Sequence, residues 1–183
     1  MCFLCEREAA QRSSLIGEEF GSTVLALATD PVPTNALIDL PNAWRSQDLA
    51  RRDGVMDLYL HAAGGAVQIS GGGFGAQTIQ SVAIPAQDVV YIQSVVNLLD
   101  SVIDLDFAFV GSAVEADTSF YYDRQIDPGG GGNTLGLAMP GSSGWELFTN
   151  YPQVANNPDY RQYVALHEFG HSLGLEHPFE ARD

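Results

Sequence analysis

Basic residues are scarce in this chain. Against 23 Asp and Glu there are only 8 Lys and Arg, a formal charge of −15. So acidic a surface repels phosphate backbones and anionic lipid, which argues against nucleic acid and membrane surfaces as partners. The same acidity also serves plain solubility. No run of 18 apolar residues occurs, so no membrane span is expected. The opening Met1-Cys2-Phe3-Leu4-Cys5-Glu6-Arg7-Glu8 lacks a cationic stretch followed by an apolar one, and is not a conventional secretory leader. Cys2 and Cys5 are the only cysteines. Their C-x-x-C has no strand before it, as a thioredoxin-like redox site requires, and no second pair, as a zinc ribbon requires. Histidine is sparse too: there are 4, and His167, His171 and His177 fall in one short stretch.

That stretch, His167-Glu168-Phe169-Gly170-His171-Ser172-Leu173-Gly174-Leu175-Glu176-His177, has the spacing H-E-x-x-H-x-x-G-x-x-H. On a helix His167 and His171 are i and i+4, so both imidazoles leave one face about a turn apart. That separation suits two ligands of one tetrahedral zinc. Glu168 is rotated off the ligand face, so it reaches a water on the metal without binding the metal itself. Gly174 can take a left-handed conformation that ends the helix and turns the chain back, bringing His177 round as a third ligand. Three protein ligands leave one position open, the pattern of a catalytic rather than a structural site. A chance match to five specified residues in a chain this long is on the order of 10⁻⁵ from average composition.

At these residues the sequence resembles the metzincin zinc metallopeptidases. Pro178 directly after His177 is similar to the serralysin-like branch, whose motif typically ends in His-Pro, while the interior from His167 to Leu175 would also suit a matrixin. Asp159-Tyr160-Arg161-Gln162 extends the serralysin likeness upstream, and a looser likeness runs from about Asn35 to Pro178. The resemblance implies a zinc-dependent endopeptidase acting on proteins or peptides. One catalytic Zn²⁺ would be held by His167, His171 and His177, and Glu168 would be the general base that takes a proton from water and passes it to the leaving amine. It implies an extracellular protein exported without an N-terminal leader. It also implies an α+β fold: a metzincin-like upper catalytic subdomain, with a twisted mixed sheet, one helix backing it and one carrying the zinc ligands. In that family the strand before the last is an antiparallel edge to which a peptide substrate adds. The matching residues here are Leu135, Gly136, Leu137 and Ala138, and the small Gly136 and Ala138 would let a second backbone approach. An ordinary edge strand is the alternative.

One departure is large. Metzincins carry a methionine-containing turn several tens of residues after the third histidine, whereas Met1, Met56 and Met139 all precede the motif. The lower subdomain is missing from these residues, as are the Gly-Asp repeats through which a longer form would bind calcium. Two function classes therefore stay open. One is a zinc endopeptidase known through its N-terminal part. The other is a truncated, non-catalytic metal-binding or protein-interaction module derived from a metallopeptidase. The residues alone are expected to show little peptidase activity. Val164, Leu166, Phe169 and Leu173 lie on more than one side of the zinc helix and want a second layer, and His177, near the end, is expected to be poorly held. Cleavage preference and oligomeric state stay open.

Along the rest of the chain, residues 1–34 form a pro-region or leader-like segment, with Thr23 to Ala28 apolar and Asp30-Pro31-Val32-Pro33 as a boundary. Residues 35–183 are the catalytic-domain part. Ala36 to Leu40 and Trp44 resemble the short N-terminal piece that packs on serralysin catalytic domains, with a small apolar cluster tucked onto the core as the alternative. Met56 to His61 alternates as a first strand, with His61 on its polar phase and structural in role. Gly71 to Ala76 fits G-x-G-x-x-A, but a dinucleotide site needs a helix straight after it. Thr78 to Ile84 alternates instead, which predicts a Gly-rich hairpin. From Pro85 the pattern turns helical, with Val89, Ile92, Val96, Leu99 and Ile103 on the apolar side and Asp88, Gln93 and Asp100 off it. Strands are predicted at Phe107 to Val110, Ser119 to Tyr122, Leu135 to Met139 and Trp145 to Phe148, with a loop at Asp127 to Asn133. Asn157, Pro158 and Asp159 supply the cap, first position and acidic first turn of the zinc helix.

Overall fold

The computed structural model describes residues 37–124, 126 and 134–177. The leader-like segment, both cysteines, the Asp127 to Asn133 loop and Pro178 lie outside the described residues. Helix α1 (Leu40–Ala50) begins where the Asp39 carboxylate accepts a hydrogen bond from the Asn42 amide at 3.2 Å, with Pro41 in the first turn. Then come β1 (Val55–Leu60), β2 (Gly65–Ile69), a 3₁₀ turn at Gly72–Phe74, β3 (Gln77–Val82) and α2 (Ala86–Asp100). The chain continues through β4 (Asp106–Phe109), β5 (Thr118–Asp123), β6 (Gly136–Pro140), β7 (Trp145–Asn150), a short α3 (Tyr151–Val154) and α4 (Pro158–Ser172).

The fold is α+β around one mixed seven-stranded sheet. Its main body runs β4-β1-β5-β7-β6. β1 is parallel to β4 and β5, and β5 is parallel to β7. β6 is antiparallel to β7, with Leu137 opposite Phe148 and Ala138 opposite Leu147, and takes no second partner among the described residues. Parallel neighbours need crossovers: α2 lies on the one from β1 to β4, and α4, which follows the last strand, packs on the same face of the sheet. β4 and β5 are joined in sequence but separated in space, because β1 lies between them.

Where β1 stops opposite Phe120, β3 takes over the same side of β5 and pairs Ser81 with Asp123 and Val82 with Tyr122. The β2–β3 hairpin then folds over the face away from the helices, where Ile69, Tyr121, Met139 and Phe148 are buried together. The strand alternation of β5 and β7 thus serves two cores. Phe120, Tyr122, Trp145 and Leu147 point to the helix side with Met56, Leu58, Ile92, Val96, Ala165 and Phe169. Every position of β5 and β7 is buried for that reason.

Several expectations change. Four α-helices stand among the described residues where two were predicted, and the piece around Leu40 and Trp44 is the first of them, with Leu49 and Ala50 in the core. Trp44 itself is exposed. Ile103 lies past the end of α2 and is more than a third exposed. Asp88, placed off the apolar side by periodicity, is fully buried, because Arg161 of α4 meets it there. The Gly-rich loop opens no nucleotide-type helix. The amides of Ser70 and Gly71 donate instead to the Glu146 carboxylate, at 2.6 and 3.0 Å. No helix among the described residues is long and apolar enough to cross a membrane.

Candidate metal centre

Helix α4 starts as its sequence requires. The Asn157 side chain accepts from the Tyr160 amide at 3.1 Å, Pro158 takes the first position and Asp159 the first turn. One side of the helix, carrying Val164, Ala165, Phe169 and Ser172, is buried, and the Phe169 ring meets Phe107 and Phe120 with centroids 5.8 and 5.5 Å away. Leu166 and Leu173 are partly buried against the same core, while Val164 and Phe169 are fully buried. The helix ends at Ser172, and Gly174 follows at φ +90°, a conformation L side chains rarely adopt. A Cβ there would stand 2.6 Å from that of Ala43.

The turn brings three imidazoles together. His167 Nε2 lies 3.1 Å from His171 Nε2 and 3.0 Å from His177 Nε2. His171 Nδ1 faces the Leu175 carbonyl at 2.8 Å. A carbonyl only accepts, so Nδ1 carries the proton and Nε2 turns its lone pair toward the other two histidines. With Nδ1 protonated, His171 Nε2 turns its lone pair toward the ring nitrogens of His167 and His177, as a ligand to a cation between them would. His167, His171 and His177 form the group of described residues that could hold a metal ion. The expectation that His177 is poorly held does not fit the contacts. The Asp39 amide donates to the Gly174 carbonyl at 2.8 Å, and the Glu176 amide donates to the Leu37 carbonyl at 2.9 Å.

Glu168 is buried beside β6. Gly136 makes this approach feasible, since a Cβ on it would collide with the Glu168 carboxylate and stand 2.7 Å from Val164 Cγ1. Gly136, Leu137 and Ala138 line one wall of a cleft of about 170 Å³. Glu168, His171, Leu175, Glu176 and His177 line it as well. Leu135 precedes the strand, and its carbonyl accepts from the Asn150 amide at 2.8 Å, so it is spent on the sheet rather than on the cleft. His61 lies on the other face of the sheet against Tyr59 and Tyr121, away from the cluster.

Two lining residues, Asp39 and Asn42, were not foreseen as part of the site. They come from the start of α1, and only long-range pairing brings them here. Tyr163 was missed too. It is the i−4 neighbour of His167, and its ring lies 5.6 Å from the imidazole, a contact that helical spacing could have suggested.

Further back, Arg161 Nε donates to Asp88 Oδ2 at 2.7 Å, while Tyr122 and Gln162 also donate to that carboxylate. Burial pulls the Arg161 guanidinium down, but the hydrogen bond and charge of Asp88 overcome this and its net shift is upward. Burial, followed by the charge of Asp88, pushes the Tyr122 phenol up. Both groups therefore keep their ordinary protonation at neutral pH, and the first turn of α4 is tied to α2. No protein-family model matches the chain, and no curated protein matches it.

Proposed function

We propose that the chain is the zinc-binding part of a metal-dependent endopeptidase of the metzincin type, serralysin-like in its motif. The observation that carries this reading is the convergence of three Nε2 atoms beside a buried glutamate, in a cleft whose wall is an antiparallel edge strand. The donor set fits zinc. Nitrogen ligands at about 2.0–2.1 Å from a tetrahedral ion stand about 3.3 Å from one another, close to the separations found here. The sheet order and the two helices on one face agree with an upper catalytic subdomain of that type.

His167, His171 and His177 would hold the ion. When bound, zinc supplies Lewis acidity, lowering the pKa of water and polarising a peptide carbonyl. The chain's own residues do the rest. β6 offers the outward main-chain groups of Gly136 to Ala138 to an extended peptide, which fixes the scissile bond over the cleft. The Glu168 carboxylate takes a proton from water there and returns it to the departing amine. The Leu175 carbonyl keeps the His171 proton on Nδ1 throughout.

The test is metal analysis joined to cleavage of a quenched peptide library. The parent is expected to carry one zinc per chain and His171→Ala to lose it. Glu168→Gln is expected to keep zinc while losing about 10²- to 10⁴-fold in turnover. Unchanged zinc in His171→Ala would sink the ligand assignment. Because these residues alone are expected to cleave slowly, a non-catalytic metal-binding module is favoured only by a zinc-loaded parent with no turnover at all, unchanged by Glu168→Gln.

A further inference from the structure

We propose that the strap Leu37–Asp39 belongs to the metal centre as a positioning element, setting His177 and His171 so that zinc affinity depends on how the strap is seated. This rests on the zinc reading above.

Within the turn after α4, backbone bonds run up to Leu175. The Leu173 amide donates to Phe169, that of Gly174 to His171, and that of Leu175 to Gly170, all between 2.9 and 3.1 Å. Beyond Leu175 the backbone bonds come from a distant part of the chain. Ile38 forms an antiparallel bridge with Leu175, flanked by the bonds from Asp39 to Gly174 and from Glu176 to Leu37. His177 is the next residue, so the strap delivers the third ligand. It serves the second ligand as well, because the bridged Leu175 is the residue whose carbonyl holds His171 Nδ1.

The strap is itself fixed from behind. Ala43 of α1 packs on Gly174, so closely that no side chain fits between them. The buried Ser46 hydroxyl donates to the Ser172 carbonyl and accepts from Trp145 Nε1 at 2.9 Å. One short helix thus joins the end of α4, the base of β7 and the third-ligand turn. Backbone bonds carry this work. Groups that orient metal ligands typically affect affinity 10- to 100-fold, which is the size of effect to look for. Linkage requires the converse: zinc must stabilise the strap by the same factor.

Two variants at Asp39 separate the backbone bond from the helix cap. Asp39 has φ −82°, close to what proline allows, so Asp39→Pro removes the N–H with little change of backbone. Asp39→Ala keeps the N–H and loses only the capping carboxylate. Zinc affinity is measured by competition with a chromophoric chelator, and ligand geometry by the visible absorption of the cobalt-loaded protein. Asp39→Pro is expected to bind zinc at least about tenfold more weakly than the parent with altered cobalt bands, and more weakly than Asp39→Ala, which keeps the backbone bond. In the unmutated chain, zinc is expected to slow exchange of the Asp39 and Glu176 amides well beyond any change at Val67 and Ile79 of the distant hairpin. This second measurement decides even where Asp39→Pro fails to fold. Parent-like affinity and cobalt spectrum in Asp39→Pro, or zinc-independent exchange at Asp39 and Glu176, would overturn the inference. A parent that binds no zinc would instead overturn the metal reading beneath it.

Discussion

On the helix side of the sheet Met56, Leu58, Phe120, Leu147 and Phe169 join one extended apolar cluster, whereas on the hairpin side only Ile69, Tyr121, Met139 and Phe148 are buried together. The polar groups differ in the same way. The helix side surrounds the buried Asp88 carboxylate with a guanidinium, a phenol and an amide. The hairpin side places Glu146 on two backbone amides and crowds Asp57 against Asp117, whose ion-pair partner among the described residues is Arg52, 3.8 Å away and largely exposed. The candidate site hangs from the helix side. Close-packed side chains and a fully paired charge resist displacement, so α4 has a stiff base on which small ligand distances can be kept. The hairpin is clasped on, and its bonds end in a loop.

The comparison breaks first at Asp88. Replacing it with Ala leaves the Arg161 guanidinium buried without its counter-ion, and strips Tyr122 and Gln162 of an acceptor. A loss of about 3–5 kcal/mol in urea unfolding is expected, with weaker zinc binding because α4 loses its anchor. A loss below about 1 kcal/mol would mean that the helix side does not depend on this pair. Glu146→Ala makes the matching cut on the hairpin side. The amides of Ser70 and Gly71 lose their acceptor, and about 1–3 kcal/mol is expected, together with faster hydrogen exchange in β2 and β3. Zinc affinity should stay at the parent level. If Glu146→Ala weakened zinc as much as Asp88→Ala, the two faces would not be independent.

Local spacing made much of this legible in the sequence. The histidine cluster follows from i, i+4 placement and a glycine turn, and α4 begins at the Asn157-Pro158-Asp159 signal. The edge position of β6 came from family resemblance, and its short run with small residues agreed. Long-range pairings were hidden. Leu37–Asp39 meets Gly174–Glu176 across almost the whole described chain, and nothing in either segment advertises the other. The Asp39-Leu40-Pro41 start of α1 was available as a capping signal, but periodicity in so short a piece is weak. Asp88 was placed off the apolar side because hydrophobic patterning treats every carboxylate as solvated, and its partner Arg161 lies far along the chain. The layering of the hairpin over the sheet was equally hidden, since an alternating strand does not say which surface it will cover.

The smallest effect is expected at Asp57, and it runs the other way. Partial burial, and then the charges of Asp117, Asp53 and Glu115, push the Asp57 carboxyl up from its ordinary value. A carboxyl whose folded-state pKa is raised binds its proton more tightly folded than unfolded. Its contribution to stability is complete below the unfolded value of about 3.9 and is lost as pH rises through the folded value. At neutral pH the ionised side chain therefore opposes folding. Asp57→Asn removes that charge and leaves the Asp57 amide bonded to Asp117 Oδ2. The group is only partly covered, so the gain should stay within about 0.5 kcal/mol, or about 1–2 °C in Tm. It should vanish on acidification, once the parent carboxyl is protonated as well. Salt sharpens the test, because it screens repulsion from the neighbouring carboxylates but leaves the burial contribution in place. A gain that halves in high salt would assign half of the effect to the acidic neighbours. A fall in Tm at pH 7, or a gain that persists undiminished at pH 3, would show that Asp57 is not under strain and that the hairpin side is better balanced than its charges suggest.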